Sequence, residues 1–433
     1  MSNSGLQVNK RLGFWLRLLA TLLLALGMVL GWAVAPAYAL TSEQKLFNEA
    51  WRIVSQSYVD EGFNGQNWWL LRQKTLQNPL PDRAATYKAI QQMLATLDDP
   101  FTRLLPPAQY RSLQTSTNGE LTGIGLQITL DPKTANLEVI TPIPGSPAAQ
   151  AGIRPKDQIL EIDGVVAKKL SLDEAAEKMR GPIGSSVLLL IQHMVTEPQT
   201  RASEPPQEVK VVRDRIALNP VVAELRAAPD RNATVDKFGY IRLNQFNANA
   251  TLEMRQAIQR LDKQGAKAYI LDLRGNPGGL LQAGVDIAQL WMEPGPIVYT
   301  VDRHGVMDSF AADHAPLTHA PLAVLVNRGT ASASEILAGA LQDSGRATLV
   351  GERTFGKGLI QSLFSLSDDS GLAVTVAHYE TPGHHDINKV GIQPNLVVPL
   401  NAIRPDQVGT DADSQYQAAI AQLYPQPVLA DAT

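Results

Sequence analysis

From about residue 216 the sequence alternates short apolar runs with helical stretches, and this alternation limits the fold more than any other feature. The runs are F-G-Y-I-R-L (238–243), A-Y-I-L-D-L (268–273), P-I-V-Y-T-V (296–301), L-A-V-L-V-N (322–327) and A-T-L-V-G-E (347–352). Helical stretches fall around Leu252 to Leu261, around Leu280 to Trp291 and after Thr330. Strand and helix alternating at this spacing predict an α/β layer fold built on a buried sheet. At 433 residues the chain exceeds one ordinary core, so two or three domains are expected.

Upstream the pattern differs. Residues 41–115 read as helical, opening with a capping box at Thr41 and Gln44 and carrying Leu46, Phe47, Ala50, Ile53 and Val54 on one stripe. A second stripe holds Tyr87, Ile90, Met93, Leu94 and Leu97 and stops before Pro100. This region is expected to pack and to take no part in chemistry. The first 39 residues read as an export signal, with Lys10, Arg11 and Arg17 before an apolar run and Ala37-Tyr38-Ala39 as the cleavage site. The competing reading is an uncleaved membrane anchor. Net charge is −4 with no polybasic face, which argues against nucleic acid as a partner. The absence of cysteine removes disulfides, thiolate metal sites and a thiol nucleophile.

Between about 120 and 215 the pattern is of short strands, with a capping box at Ser171 and Glu174 opening one helix and a polar insert at 196–207 read as a hairpin loop. In Gly123-Ile124-Gly125-Leu126, glycines beside an isoleucine let successive N–H groups point one way, forming a nest for a peptide's terminal carboxylate. With S-P-A-A-Q-A-G-I-R-P-K-D-Q-I-L-E-I-D-G (146–164), the segment resembles a PDZ domain of the bacterial, protease-associated type. Arg180 reads equally as a surface cation or as a link from this module to the next domain.

The stretch G-T-A-S-A-S-E-I-L (329–337) places Ser332 where strand turns to helix, with unpaired N–H groups and a helix dipole that favour an oxyanion. None of the seven histidines stands in a catalytic or metal-ligand pattern. The candidate base is Lys357 in G-E-R-T-F-G-K-G (351–358), which needs a neutral amine and therefore an apolar pocket or a neighbouring cation. Gly351-x-x-x-x-Gly356-Lys357 is one residue short of a phosphate loop. Gly358 replaces the Mg²⁺-binding hydroxyl, and L-I-Q-S-L-F-S-L after it reads as strand, so nucleotide is not expected. Ser334 and Glu335 are assigned to capping or packing.

T-A-S-A-S-E-I with F-G-K-G-x-x-Q-S downstream resembles the carboxyl-terminal processing proteases, serine endopeptidases with a serine/lysine pair. The resemblance extends through L-D-D-P-F-T-R-L (97–104) and G-I-Q-P-N (391–395), where the last residue is more usually Asp. It implies Ser332 as nucleophile, Lys357 25 positions later as base, Gln361 orienting the lysine, and an oxyanion hole from the N–H groups of Gly278 and Ala333. It implies a multidomain α+β chain: signal 1–39, helical region 40–118, PDZ domain 119–215, a crotonase/ClpP-like α/β core 216–400, and a tail 401–433 in which Tyr416 to Leu423 could form a helix. No metal or other cofactor is implied, and the expected partners are protein C-terminal tails. F-N-G-Q-N-W-W (63–69) is similar to the cyanobacterial and chloroplast branch, which trims the precursor of a photosystem II reaction-centre protein. That implies export to the thylakoid lumen or periplasm, close to a membrane surface through the substrate. The alternatives are a periplasmic tail-specific quality-control protease and a non-catalytic scaffold that only holds C-termini.

Overall fold

The computed structural model describes residues 40–131, 136–193, 205–227, 236–399 and 403–423. The expected export signal and most of the polar insert lie outside them. Three helices lead: α1 (Ser42–Ser57), α2 (Trp68–Leu76) and α3 (Arg83–Ala95). The Thr41 hydroxyl accepts from the Gln44 N–H at 3.2 Å and the Gln44 side chain accepts from the Thr41 N–H at 3.1 Å, closing the capping box that starts α1. The apolar stripes of α1 and α3 bury Phe47, Val54, Ile90 and Met93 together. The same cluster includes Leu366, Leu372 and Val374 from far downstream, so these helices cover a sheet of the core.

After β1 (Arg103–Leu105) and α4 (Pro107–Asn118) comes the β-rich module: β2 (Glu120–Gly123), β3 (Leu126–Leu130), β4 (Leu137–Pro142), α5 (Pro147–Gln150), β5 (Gln158–Ile162), β6 (Val165–Val166), α6 (Leu172–Met179), β7 (Ser186–Gln192), β8 (Gln207–Val212) and β9 (Asp214–Ala217). Its sheet runs β3-β4-β5-β7-β8, with β6 beside β5, and surrounds its own core of Ile124, Val139, Ile159 and Leu189. β2 and β9 leave that sheet and pair with each other, Glu120 opposite Ala217 and Gly123 opposite Asp214. The module therefore begins and ends on one two-stranded ribbon.

The remainder is β10 (Val221–Ala227), β11 (Lys237–Leu243), α7 (Ala250–Lys263), β12 (Tyr269–Asp272), α8 (Leu281–Gln289), β13 (Gly295–Asp302), β14 (Gly305–Ala312), β15 (Leu322–Val326), α9 (Ala333–Asp343), β16 (Thr348–Gly351), β17 (Leu359–Ser365), β18 (Gly371–Glu380), β19 (Leu396–Val397) and α10 (Ser414–Leu423). One sheet runs β10-β11-β12-β15-β16-β19, parallel from β11 onward. All five residues of β15 are buried because helices cover both faces. Leu271 and Val324 meet α7, α8 and α9 on one side. Ile270 and Leu325 meet Tyr416 and Ile420 of α10 on the other. The segment that the sequence reading set apart as a tail thus supplies one layer of the core. In the second sheet, β18 pairs with β17 along one edge and with β1 and then β13 along the other. Ala373 faces Arg103 of β1 on one side and Leu363 of β17 on the other.

Candidate active site

Ser332 immediately precedes α9 with φ 57° and ψ −121°. A side chain at positive φ costs about 1–3 kcal/mol, and such strain persists only where the surroundings over-determine it. The restraint here is Glu335, fully buried one turn into α9. Its carboxylate accepts from the N–H groups of Ser332 (2.9 Å), Gly356 (2.8 Å) and Lys357 (2.9 Å) and from the Thr354 hydroxyl (2.5 Å). One carboxylate therefore holds the serine turn and the lysine loop in register. The N–H groups that a phosphate loop would offer to nucleotide are turned to this internal anion. The buried Tyr379 hydroxyl lies 3.0 Å from the Ser332 carbonyl and 2.9 Å from that of Lys357, fastening the same two segments from the far side.

Lys357 lines a cavity of about 470 Å³ together with Ser332, Ala333, Gly278 and Gln361. All five expected catalytic residues converge there. The Nζ sits 4.9 Å from the centre of the Phe101 ring. Burial, and next the Arg103 guanidinium, pulls the amine below the ordinary lysine range, while Asp99 and Glu335 oppose the shift. Among the described residues no hydrogen bond joins the amine to the Ser332 hydroxyl or to Gln361, whose Nε2 is buried without a partner.

Gly278 packs directly on the serine turn at φ 93°; a Cβ there would stand 2.6 Å from the Ala331 carbonyl and 2.9 Å from the Ala333 nitrogen. Only glycine fits both the angle and the space. The Ala333 N–H has no acceptor among the described residues. The Gly278 N–H, expected to be the second oxyanion donor, instead gives its hydrogen to Asn276 Oδ1 at 2.9 Å. The buried Asn276 also reaches the Leu243 carbonyl through Nδ2, and its own carbonyl accepts from the Ser334 hydroxyl. Of the two expected oxyanion donors, one is therefore open and one is engaged.

In the β-rich module Gly123 ends β2, Leu126 starts β3, and the N–H groups of Ile124 and Gly125 between them have no acceptor among the described residues. β3 is the outermost strand, its open edge available to an added strand, with α6 packed nearby. Arg180 follows α6, pairs with Glu177 at 2.8 Å, and lies against Gly123. It makes no hydrogen bond or ion pair to the core among the described residues.

Four residues at this site escaped functional notice in the sequence. Glu335 carried a capping signal, but three of its four donors, from Thr354, Gly356 and Lys357, come from a segment brought near only by the fold. Tyr379 is one aromatic in a strand. Phe101 and Arg103 belong to the region expected only to pack, and β1 is three residues long, too short for any periodic signal.

Residues 237–398 match the model of peptidase family S41, and residues 138–193 match a PDZ domain. The carboxyl-terminal-processing protease of Picosynechococcus sp. is 58% identical over 402 residues, covering 93% of this chain and 94% of that protein. The chloroplastic carboxyl-terminal-processing peptidase 2 of Arabidopsis thaliana is 47% identical over 371 residues, 84% of this chain and 70% of that one. A solved photosystem II D1 C-terminal processing protease superposes with a TM-score of 0.54 at 44% identity, covering 83% of this chain and 94% of the other. With a PDZ module on a ribbon, a strained serine and a half-buried lysine lining one cavity, and likeness over 70–94% of the length of these relatives, this chain belongs to the carboxyl-terminal-processing proteases, serine-type endopeptidases of family S41.

Proposed function

We propose that this protein cuts C-terminal extensions from proteins, with Ser332 as nucleophile and Lys357 as its general base. The observation that carries the assignment is the Glu335 carboxylate, which ties both residues' backbones to one buried group beside one cavity. Neutral Lys357 takes the hydroxyl proton as Ser332 Oγ attacks the scissile carbonyl. The Ala333 N–H receives the developing oxyanion, joined by the Gly278 N–H once Asn276 Oδ1 lets it go. Collapse breaks the C–N bond, the protonated lysine returns its proton to the departing amine, and an acyl-enzyme remains. Water then attacks the ester with Lys357 again as base, releasing the new C-terminus and restoring the serine. Gln361 holds the amine in line when substrate fills the cavity. The open edge of β3 and the free N–H groups of Ile124 and Gly125 receive the substrate's terminal carboxylate, and Arg180 relays that occupancy to the core.

The substrate we infer is the precursor of the photosystem II D1 protein, processed in the thylakoid lumen at a membrane surface. The chloroplastic relatives and the D1-processing structure support this reading. Mass spectrometry of a precursor-tail peptide incubated with the protein tests it. Release of the intact extension is expected. Ser332→Ala and Lys357→Ala should each lower kcat by about 10⁴-fold or more. Wild-type turnover by either variant would end the dyad assignment, and an untouched precursor tail beside efficient cutting of unrelated tails would replace D1 processing with general tail-specific proteolysis.

A further inference from the structure

A second hollow of about 330 Å³ lies along α4, and Arg103 and Leu113 line both it and the cavity that Ser332 lines. Leu105, Gln109, Ser112 and Ser116 complete the smaller space, and no Asp or Glu lines either one. Arg103 has its backbone fixed by pairing with Ala373 on β18, yet its side chain is exposed. Its one hydrogen bond among the described residues runs from Nη1 to the Phe101 carbonyl at a long 3.4 Å, and no carboxylate pairs with it. A guanidinium offers five N–H donors in a planar fork suited to a carboxylate. Such a group, on a strand held by the sheet and lining the same cavity as Ser332, with its fork engaged only by one long bond and no negative charge in the walls, is arranged to receive an anion.

We propose that Arg103 is a specificity residue whose guanidinium, with the hydroxyl of Ser112, binds a carboxylate of the peptide substrate close to the scissile bond. This subsite rests on the peptidase reading above and is separate from the PDZ module. The carboxylate is either an acidic side chain near the cut or the terminal carboxylate of a short product-side segment. A docked carboxylate offsets part of the field that Arg103 exerts on Lys357, so it gains binding without speeding the proton transfer. Selectivity should therefore appear in KM rather than kcat.

The test uses full-length protein and peptides in which one Glu is moved through the positions flanking the cut, each compared with its Gln counterpart and made with free or amidated C-termini. For at least one position, or for the free terminus, wild type should favour the carboxylate by roughly tenfold or more in kcat/KM, the scale of a charge-assisted fork contact. Arg103→Gln should bring that ratio to within about twofold while still cutting the Gln peptides, and Arg103→Lys should restore part of it. A preference that follows the Glu names a side chain; one that follows the free terminus and disappears in Arg103→Gln names the product terminus. An amidation effect that persists in Arg103→Gln belongs to the PDZ loop and counts against the terminal arm. Equal rates for all Glu and Gln peptides with wild type, or a ratio unchanged in Arg103→Gln, overturn the subsite while leaving the peptidase reading intact. Failure of wild type to cut any peptide overturns that reading and the subsite with it.

Discussion

An amine can accept a proton only when it is neutral, and the surroundings of Lys357 are arranged toward that state. Burial is the largest influence, with the Phe101 ring covering one side of the Nζ, and the Arg103 charge adds to it. Because the amine must shed its proton first, kcat/KM should rise as pH climbs through its lowered pKa. Phe101→Ala admits water, weakens the desolvation and moves this limb toward higher pH, so activity at neutral pH falls while the alkaline plateau is largely kept. A pH–rate profile of the variant checks this, and a limb in the wild-type position would remove Phe101 from the account. Ser332 and Lys357 could be proposed from the sequence because each stands in a short motif, and the fold brings both to one cavity. The source of the lysine's perturbation could not, since Phe101 and Arg103 precede it by more than 250 positions and sit next to it only through the pairing of β1 with β18.

Among the elements, strands β11, β12, β15 and β16 and the helices α7, α8 and α9 were legible because each carries its own apolar run or stripe, whereas the two-residue β19 at the sheet's edge carries none. The role of the last helix was not, because its apolar face is short and the contact that sets it on the core beside that face is a polar interlock. Arg274, in D-L-R-G-N-P-G-G after β12, is buried between Asp272 (Nη2 to Oδ2, 2.7 Å) and Asp413 (Nη1 to Oδ1, 3.0 Å; Nη2 to Oδ2, 2.8 Å). The Asp413 carboxylate also accepts from the Gly409 N–H before α10 and from the Tyr416 N–H in its first turn. Burial raises the pKa of Asp413, but Arg274 and these N–H groups outweigh it and hold the carboxyl below its ordinary range. Asp413→Ala leaves Arg274 with Asp272 as its remaining carboxylate and takes the acceptor from the Gly409 and Tyr416 N–H groups, so it should destabilise the protein by about 1–3 kcal/mol in urea unfolding. The sign with pH follows from the depressed pKa. Asp413's contribution is whole above the ordinary carboxyl value and is lost as pH falls through the folded-state value, so the gap between wild type and variant should narrow in acid. A gap independent of pH would assign the loss to packing of Tyr416 and Ile420 instead.

At the level of the whole chain, the PDZ module is an insertion whose two ends meet. Gly119 closes α4 at φ 67°, and its carbonyl accepts from the Leu218 N–H at 2.8 Å, just outside the β2–β9 ribbon. The Asn249 side chain reaches the same carbonyl at 2.7 Å, anchoring the root of the ribbon to the start of α7. The module's hydrophobic cluster shares no residue with those of the core. Separate cores on a shared root mean that recognition of a C-terminus and cleavage can be uncoupled by surgery. Replacing residues 120–217 with a short glycine linker should leave a core that still unfolds cooperatively, because nothing buried between the sheets is lost. That core should still react at Ser332 with a small fluorophosphonate probe, since Glu335 and Tyr379 fix the serine and lysine loops without help from the module. It should no longer distinguish a long substrate with a free C-terminus from its amidated counterpart, whereas the intact protein should favour the free terminus through KM. If the trimmed protein folds, labels at Ser332 and keeps the intact protein's preference, the open edge of β3 is not where the terminus is read. If it folds and fails to label, the module does more than capture substrate, and Arg180 at the root of the Gly123 loop is the first residue through which it would act.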